Sequence, residues 1–105
     1  MRIRKNAEIN PEAELIAKAS AALGHPARVE IFRYIHQNNK AFTPVCNKDL
    51  VEHFSLAQST ISQHLSVLTA AGLVEVKQKG TANFYYTNLG LLAQYLNGVK
   101  ELINQ

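Results

Sequence analysis

The fold is decided by one stretch near the middle of the chain, Gln58-Ser59-Thr60-Ile61-Ser62-Gln63-His64-Leu65-Ser66-Val67-Leu68. Its apolar residues Ile61, Leu65 and Leu68 recur at the i, i+4, i+7 spacing of one helix face. This pattern predicts a fourth helix over about 58–71. The side chains between them are small and polar, and the stretch contains no Lys, Arg, Asp or Glu. The helix is therefore predicted to turn one apolar face to a core and one uncharged polar face outward.

The residues next to this helix predict a helix-turn-helix. Gly72 follows the apolar pattern at the position of a left-handed C-terminal cap. Upstream, the run from Lys48 to Phe54 has an apolar side and Asn47 as a candidate N-cap, so it predicts a short third helix. The three residues Ser55-Leu56-Ala57 connect the two helices, as is typical of a helix-turn-helix.

A β-hairpin is predicted directly after the fourth helix. The run from Val74 to Lys77 alternates apolar and charged residues, which is the period of a half-buried strand. The run from Phe84 to Thr87 is rich in residues that favour strands. We expect residues 79–83 to form the loop between them. A hairpin that follows a helix-turn-helix is called a wing.

Three further helices complete the predicted architecture. Asn10-Pro11-Glu12 is a helix start, and that helix is expected to end near Leu23. Pro26 opens a second helix, which ends at 38–40, and Asn88 caps the last one. The fold class is therefore mainly α with a small wing: a single winged helix-turn-helix domain over 1–105, with five helices and a two-stranded antiparallel hairpin. An apolar stripe runs along the last helix: Leu92, Tyr95, Leu96, Val99, Leu102, Ile103.

The polar face of the fourth helix has the chemistry of base recognition. Glutamine pairs with adenine through two hydrogen bonds, and a serine or threonine hydroxyl both donates and accepts. Amides at the helix N-terminus also bind phosphate. The alternative is an ordinary surface helix with a serine-rich face. The helix's position between a tight turn and a hairpin favours contact with double-stranded DNA. The candidate contacts are Gln58, Ser59, Thr60, Ser62, Gln63, His64 and Ser66.

Charged side-chain contacts to DNA phosphates must come from other segments, because the fourth helix carries no Lys or Arg. Taken singly, each lysine is more often a solvated surface charge. A wing beside the recognition helix reaches the adjacent backbone, which favours Lys77 and Lys79. The other candidates are Lys48, Lys40 and the residues Arg2, Arg4 and Lys5 of a basic arm over 1–9.

Composition sets limits on the class of protein. The chain has 105 residues, 47% of them apolar, and 11 Lys plus Arg against 8 acids, for a net charge of +3. This describes one globular domain that is mildly basic. The single cysteine excludes an intrachain disulfide and suits a reducing cytoplasm. No apolar run approaches the about 20 residues that a membrane span needs, so we expect a cytoplasmic protein with no membrane contact.

No motif of an enzyme is present. The sequence lacks a glycine-rich phosphate loop, Cys-x-x-Cys, H-E-x-x-H and G-x-S-x-G. We therefore expect no catalysis and no cofactor. The rival to a DNA-binding regulator is a winged-helix module that binds another protein, although such a surface favours exposed aromatic and leucine side chains.

Several motifs resemble the ArsR/SmtB family of winged-helix repressors. They are Ala22-Leu23-Gly24-His25-Pro26-Ala27-Arg28, the run 49–68, Ala71-Gly72-Leu73-Val74 and Tyr85-Tyr86. The resemblance implies a repressor that a signal, here unknown, releases from operator DNA. It also implies a homodimer built through the first and last helices, 10–23 and 88–103. An alternative for these helices is packing within one chain. The candidate interface residues are Leu15, Leu92, Tyr95, Leu96, Val99, Leu102 and Ile103.

The chain departs from the family where metals are sensed. Metal-sensing members often carry Cys-x-Cys before the third helix, and here those positions read Cys46-Asn47-Lys48. A separate departure lies in the turn between the third and fourth helices, where Ser55 stands in place of a frequent glycine and Ala57 in place of a frequent serine. The last helix has no His or Asp, and Glu101 is its one acid. We therefore predict no metal site. Cys46 is a candidate redox switch, because Lys48 and a helix N-terminus lie nearby; the alternative is an inert packing residue.

Overall fold

The computed structural model describes residues 9–104, and over these it has the predicted order of elements. Five helices enclose a core, and one two-stranded antiparallel sheet projects from it. The winged helix-turn-helix predicted from the sequence is confirmed. The elements are α1 (Pro11–Ala22), α2 (Pro26–Lys40), α3 (Asn47–Phe54), α4 (Gln58–Ala70), β1 (Val74–Lys79), β2 (Ala82–Thr87) and α5 (Leu89–Glu101).

Side-chain caps start three of the helices. The Oδ1 atom of Asn10 accepts from the backbone N–H of Glu12 at 2.8 Å, as expected for the start of α1. The Nδ1 atom of His25 accepts from the N–H of Ala27 at 3.0 Å and caps α2. Asn88 caps α5 through the N–H of Leu91 at 3.1 Å. The predicted basic arm, with Arg2, Arg4 and Lys5, lies outside the described residues.

The start of α3 differs from the prediction by one residue. Asn47 is the first helical residue, and Cys46 takes the N-cap position. The reason is the Asp49 carboxylate, which accepts from the backbone N–H of Cys46 at 2.9 Å and from its thiol at 3.2 Å. The helix ends at Ser55, which has the left-handed φ of 53° that turns the chain toward α4.

The wing is longer than predicted and its turn is tighter. The strands pair from Val74↔Thr87 to Lys79↔Ala82, so the loop expected over 79–83 shrinks to Gly80-Thr81. Gly80 has a φ of +64°, and a glycine at the first central position is typical of a tight hairpin turn. The base of the wing is fixed by a third segment, because the N–H of Tyr85 donates to the carbonyl of Val45 at 2.9 Å.

The core lies where α4 meets α1, α2 and α3. Ile61, Leu65 and Leu68 are almost fully buried, as their spacing predicts. Burial of each such side chain stabilises the fold by about 1.5–3 kcal/mol. Gly72, with a φ of +80°, ends the helix and lets the chain enter β1. The other buried apolar residues are Ala19, Ala22, Ile31, Ile35, Val45, Leu50, Leu73, Val74 and Tyr85.

Candidate nucleic-acid interface

The polar face of α4 is exposed. Every one of its predicted contact residues except Thr60 and His64 is exposed, and Thr60 is half-buried. The apolar residues of the helix fill the core on the other side, so the helix cannot rotate without exposing them. This arrangement leaves an uncharged polar edge available to a partner. The exposed members are Gln58, Ser59, Ser62, Gln63 and Ser66.

Two clefts flank this edge. One lies between α4 and the wing and includes Ser66, Thr69 and Val76 in its lining. The other lies toward the N-terminus of α3 and includes Lys48, Gln58 and Thr81. Ser62 and Asn83 line both clefts, so the two meet at the middle of α4. The wing lines both clefts and the N-terminus of α3 lines one of them, so both elements border the polar edge.

His64 does not belong to the polar edge, and its prediction as a DNA contact is corrected. Its side chain is buried, with 8% of the residue exposed. The Nη1 group of Arg28 donates to its Nδ1 atom at 3.3 Å, and its ring lies 4.7 Å from the ring of His25. Burial, followed by the nearby His25 and Arg28, lowers the pKa of His64 below its ordinary value. His64 therefore holds α4 against the rest of the protein.

Among the described residues, the candidate phosphate contacts are four lysines, and all four are exposed: Lys40, Lys48, Lys77 and Lys79. Lys48 lines the cleft toward α3, and Lys40 ends α2. The Nζ atom of Lys77 lies 5.3 Å from the ring centre of Tyr86, and that of Lys79 lies 5.9 Å from that of Phe84. These cation–π contacts hold the two ammonium groups beside the wing.

The hairpin register shows which side of the wing faces α4. Val76 pairs with Tyr85, and both line the cleft beside α4. Successive side chains of a strand alternate between faces, so Lys77 and Lys79 occupy the opposite face. The face toward α4 instead carries the uncharged pair Gln78↔Asn83.

Two residues of the interface, Asn47 and Asn83, were not among the sequence candidates. The Nδ2 group of Asn47 donates to the Oγ atom of Ser62 at 3.2 Å. Asn83 was assigned to the loop, and the extended register places it on β2 against the clefts. A two-residue turn at Gly80-Thr81 pairs Gln78 with Asn83, so recognising this turn in the sequence would have placed Asn83 on the second strand. Nothing in the sequence pattern indicates the contact of Asn47.

Cys46 has a structural contact. It is half-buried, and its thiol and backbone N–H both donate to Asp49 at the start of α3. A redox response of this thiol stays a prediction. Within residues 9–104, no three His, Cys, Asp or Glu side chains are grouped so as to hold a metal ion.

The apolar stripe of α5 is divided between two environments. Leu92 and Tyr95 pack against the core, and the Tyr95 hydroxyl lies 3.0 Å from the Ser20 Oγ atom of α1. Leu15 of α1 is half-buried. The remaining members of the stripe are exposed: Leu96, Val99, Leu102 and Ile103, by 56%, 38%, 61% and 84%. Packing within one chain accounts for only part of the stripe.

No helix among the described residues is both long and apolar enough to span a bilayer. The fold and the exposed polar edge of α4 define the class of the protein, a winged helix-turn-helix DNA-binding domain.

The comparisons with known proteins identify the family. The model of the bacterial regulatory protein arsR family matches residues 25–76. An arsenical resistance operon repressor of Bacillus subtilis (strain 168) is 39% identical over 79 residues, covering 71% of each chain. The protein belongs to the ArsR family and is a DNA-binding transcriptional regulator.

Solved structures show the same fold. An ArsR-like transcriptional regulator from Rhodococcus sp. RHA1 has a TM-score of 0.74 at 22% identity, covering 85% of this chain and 79% of that one. The homodimeric winged helix-turn-helix DNA-binding domain of Mb0332 from Mycobacterium bovis has a TM-score of 0.67 at 18% identity, covering 93% and 90%.

Proposed function

We propose that the protein is a repressor that binds a palindromic operator as a homodimer. The observation that carries this proposal is the uncharged polar edge of α4, exposed between α3 and the wing. An α-helix with short side chains enters the major groove of DNA closely enough for hydroxyl and amide groups to reach base edges. The name of the B. subtilis relative supports repression as the outcome of binding.

Within this proposal, the contacts divide into two kinds. Ser62 and Gln63 read bases, because they lie near the middle of the exposed edge. Lys48, Lys77 and Lys79 contact phosphates and set the register of the protein on the duplex. The wing lysines reach the backbone from the outer side of the hairpin, since the side toward α4 is uncharged.

The proposed homodimer uses α1 and α5. Four exposed apolar side chains lie on one stripe, two of them in α5 and two directly after it, and such a patch on a small protein indicates a partner surface. A two-fold symmetric protein matches two inverted half-sites of DNA. The homodimeric state of the Mb0332 domain, which shares the fold, supports the same assembly here.

The test measures binding of the full chain to DNA from upstream of its own gene by fluorescence anisotropy, against scrambled duplex and over a salt series. The wild-type protein is expected to prefer its own DNA and to lose affinity steeply with salt. Replacing Ser62 with alanine should cost about 0.5–1.5 kcal/mol for its single hydrogen bond. Replacing Gln63 with alanine should cost about 1–3 kcal/mol for its paired hydrogen bonds, and both changes should reduce the preference for operator. Replacing Lys77 and Lys79 with alanine should weaken binding to both duplexes alike. It should also reduce the slope of log affinity against log salt concentration by about 2.

Matched controls separate these effects from general damage. Gln37→Ala removes an exposed amide from α2, and the pair Lys18→Ala and Arg33→Ala removes two exposed charges away from the clefts. Both controls should bind like the wild type. Equal affinity for operator and scrambled duplex in the wild-type protein would instead support the protein-interaction module.

A further inference from the structure

One side-chain hydrogen bond joins the two helices of the helix-turn-helix at the candidate DNA surface. Asn47, the first residue of α3, donates from Nδ2 to the Oγ atom of Ser62 on α4 at 3.2 Å. Asn47 is half-buried, whereas Ser62 is exposed and lines both clefts. The contact therefore connects a half-buried amide to an exposed hydroxyl on the polar edge of α4.

The direction of this hydrogen bond fixes what Ser62 offers to a partner. A serine hydroxyl has one proton to donate and two lone pairs to accept with. The amide NH₂ group of Asn47 can only donate, so it occupies a lone pair of Ser62 and leaves the hydroxyl proton free. Without Asn47, an exposed hydroxyl rotates and serves equally well as donor or acceptor.

We propose that Asn47 is a positioning residue that makes Ser62 a hydrogen-bond donor toward DNA. The inference rests on the proposed function, in which the exposed edge of α4 faces the duplex. It predicts that Ser62 meets an acceptor atom, either a base acceptor such as purine N7, guanine O6 or thymine O4, or a phosphate oxygen. The amino groups of adenine and cytosine are disfavoured partners, because Asn47 leaves Ser62 only one lone pair with which to accept from them.

A double-mutant cycle on operator affinity tests the proposal. Ser62→Ala and Asn47→Ala are each expected to raise the operator Kd about three- to tenfold. Because Asn47 acts through Ser62, adding Asn47→Ala to Ser62→Ala should change the Kd little further. Thermal unfolding of all four proteins checks that the folded fraction is equal under the binding conditions.

Asn47→Asp provides a second variant that is not expected to unfold α3. A carboxylate in the first turn is favourable to the helix, but it accepts the Ser62 proton instead of leaving it free. Its negative charge also repels DNA, and the Ser62→Ala background measures that repulsion alone. We therefore expect Asn47→Asp to weaken binding more in the wild-type background than in the Ser62→Ala background.

Modified duplexes identify the acceptor. Replacing purines one at a time with 7-deaza analogues removes the N7 acceptor, and base-pair substitution scans the O6 and O4 positions. Methylphosphonate linkages instead remove the charge of single phosphates. At one position per half-site, the modification should weaken DNA binding by the wild-type protein and leave DNA binding by the Ser62→Ala protein unchanged. Asn47→Ala should blunt the effect at that same position, which a purely structural role would not do.

The outcomes separate the two proposals. If Ser62→Ala weakens binding and Asn47→Ala does not, or if their effects add, the role of Asn47 is wrong and the DNA surface stands. If neither substitution changes an otherwise specific affinity, Ser62 is not a DNA contact and the inference fails. If the wild-type protein binds all duplexes equally, the proposed function fails and the inference falls with it.

Discussion

At the scale of single residues, His64 shows how a polar side chain can secure the recognition helix from inside. It follows Ile61 by three residues and precedes Leu68 by four, so helical spacing places it on the core face. Its polar chemistry suggested the opposite face. Arg28 donates to it and also to the carbonyls of Ala22 at 2.7 Å and Ala21 at 3.4 Å. Arg28 and His64 thereby connect the ends of α1 and α2 to α4.

The neutral form of His64 is required by this arrangement, which predicts a pH dependence of stability. An arginine can only donate, so the Nδ1 atom of His64 must accept and its proton resides on Nε2. Burial first, and then the charges of His25 and Arg28, lower the pKa of His64 in the folded protein below 6.5, its ordinary value. At pH values between the folded pKa of His64 and its ordinary value, the unfolded chain therefore binds more protons than the folded protein does. The stabilisation is complete above about pH 6.5 and is lost as the pH falls toward the folded pKa.

Urea unfolding between pH 7.5 and pH 5 measures this dependence. The free energy of unfolding should decrease on acidification in the wild type and decrease less in His64→Gln, whose side chain does not titrate. His53→Gln is the matched control, because His53 is exposed on α3 and stacks on Tyr34 at 4.2 Å. A wild-type and a His64→Gln profile that run in parallel would show that His64 does not carry the effect.

At the scale of helices and strands, most of the fold follows from local sequence. Apolar spacing predicted α4, and Asn10 and Asn88 were correctly assigned as caps. The predicted and observed boundaries differ where a hydrogen bond, and not the local apolar pattern, determines where an element begins or ends. Asp49 moves the cap of α3 to Cys46, and cross-strand pairing extends the wing to a two-residue turn. Element type depends on neighbouring residues, whereas these boundaries depend on single hydrogen bonds.

Helical spacing predicted which residues of α4 are exposed at the candidate site, but not the contacts that other segments make with them. The spacing around Ile61 indicated correctly that Ser62 and Gln63 are exposed. The Asn47–Ser62 hydrogen bond joins residues 15 apart in the chain, so no periodic pattern reports it. Likewise, the alternation along β1 places Lys77 on the outer face once the register is known, but the register itself depends on Gly80.

The contact between α1 and α5 depends on Gly98, which is buried. A Cβ atom at this position would lie 2.9 Å from the Cδ1 atom of Ile16 and 3.3 Å from the Cγ atom of Glu12. Gly98→Val adds two further methyl groups and should separate the helices, lowering the free energy of unfolding by about 1–3 kcal/mol.

A second glycine in α5 supplies the control. A Cβ atom at Gly90 meets just the Oδ1 atom of Asn88, at the ordinary distance of 3.5 Å. Gly90→Val makes the same change in the same helix without the clash. Chemical denaturation of both variants should show the larger loss for Gly98→Val. Equal losses would mean that helix propensity, and not the packing of α1 on α5, decides the cost.

At the scale of the whole molecule, the domain presents two surfaces with different chemistry. The edge of α4 is polar and uncharged, and it is bordered by α3 and the wing. The outer side of α5 and the two residues after it carry the exposed apolar stripe, whose side chains are between 38% exposed, at Val99, and 84% exposed, at Ile103. If the apolar surface joins two copies, each copy carries one recognition helix. The two helices then match half-sites about one helical turn of DNA apart.

This coupling of assembly to DNA binding predicts the effect of charge on α5. Leu96→Glu and Leu102→Glu together place two carboxylates on the exposed apolar stripe, where a dimer would have to bury them without partners. The doubly substituted protein should sediment as a folded monomer, and the wild type as a dimer. The wild type should bind a complete palindrome far more tightly than a single half-site, because the second contact becomes intramolecular.

The monomeric variant should lose this advantage and bind both duplexes with the same affinity per half-site, since each recognition helix then binds its half-site independently. Phe42→Glu is the control: Phe42 is a 95% exposed apolar residue in the connection between α2 and α3, and its substitution adds one carboxylate in place of an exposed apolar side chain. It should remain dimeric and keep the preference for the palindrome. A Leu96→Glu/Leu102→Glu protein that still sediments as a dimer would show that the two copies meet through another surface, and the half-site spacing would then be set by that surface instead.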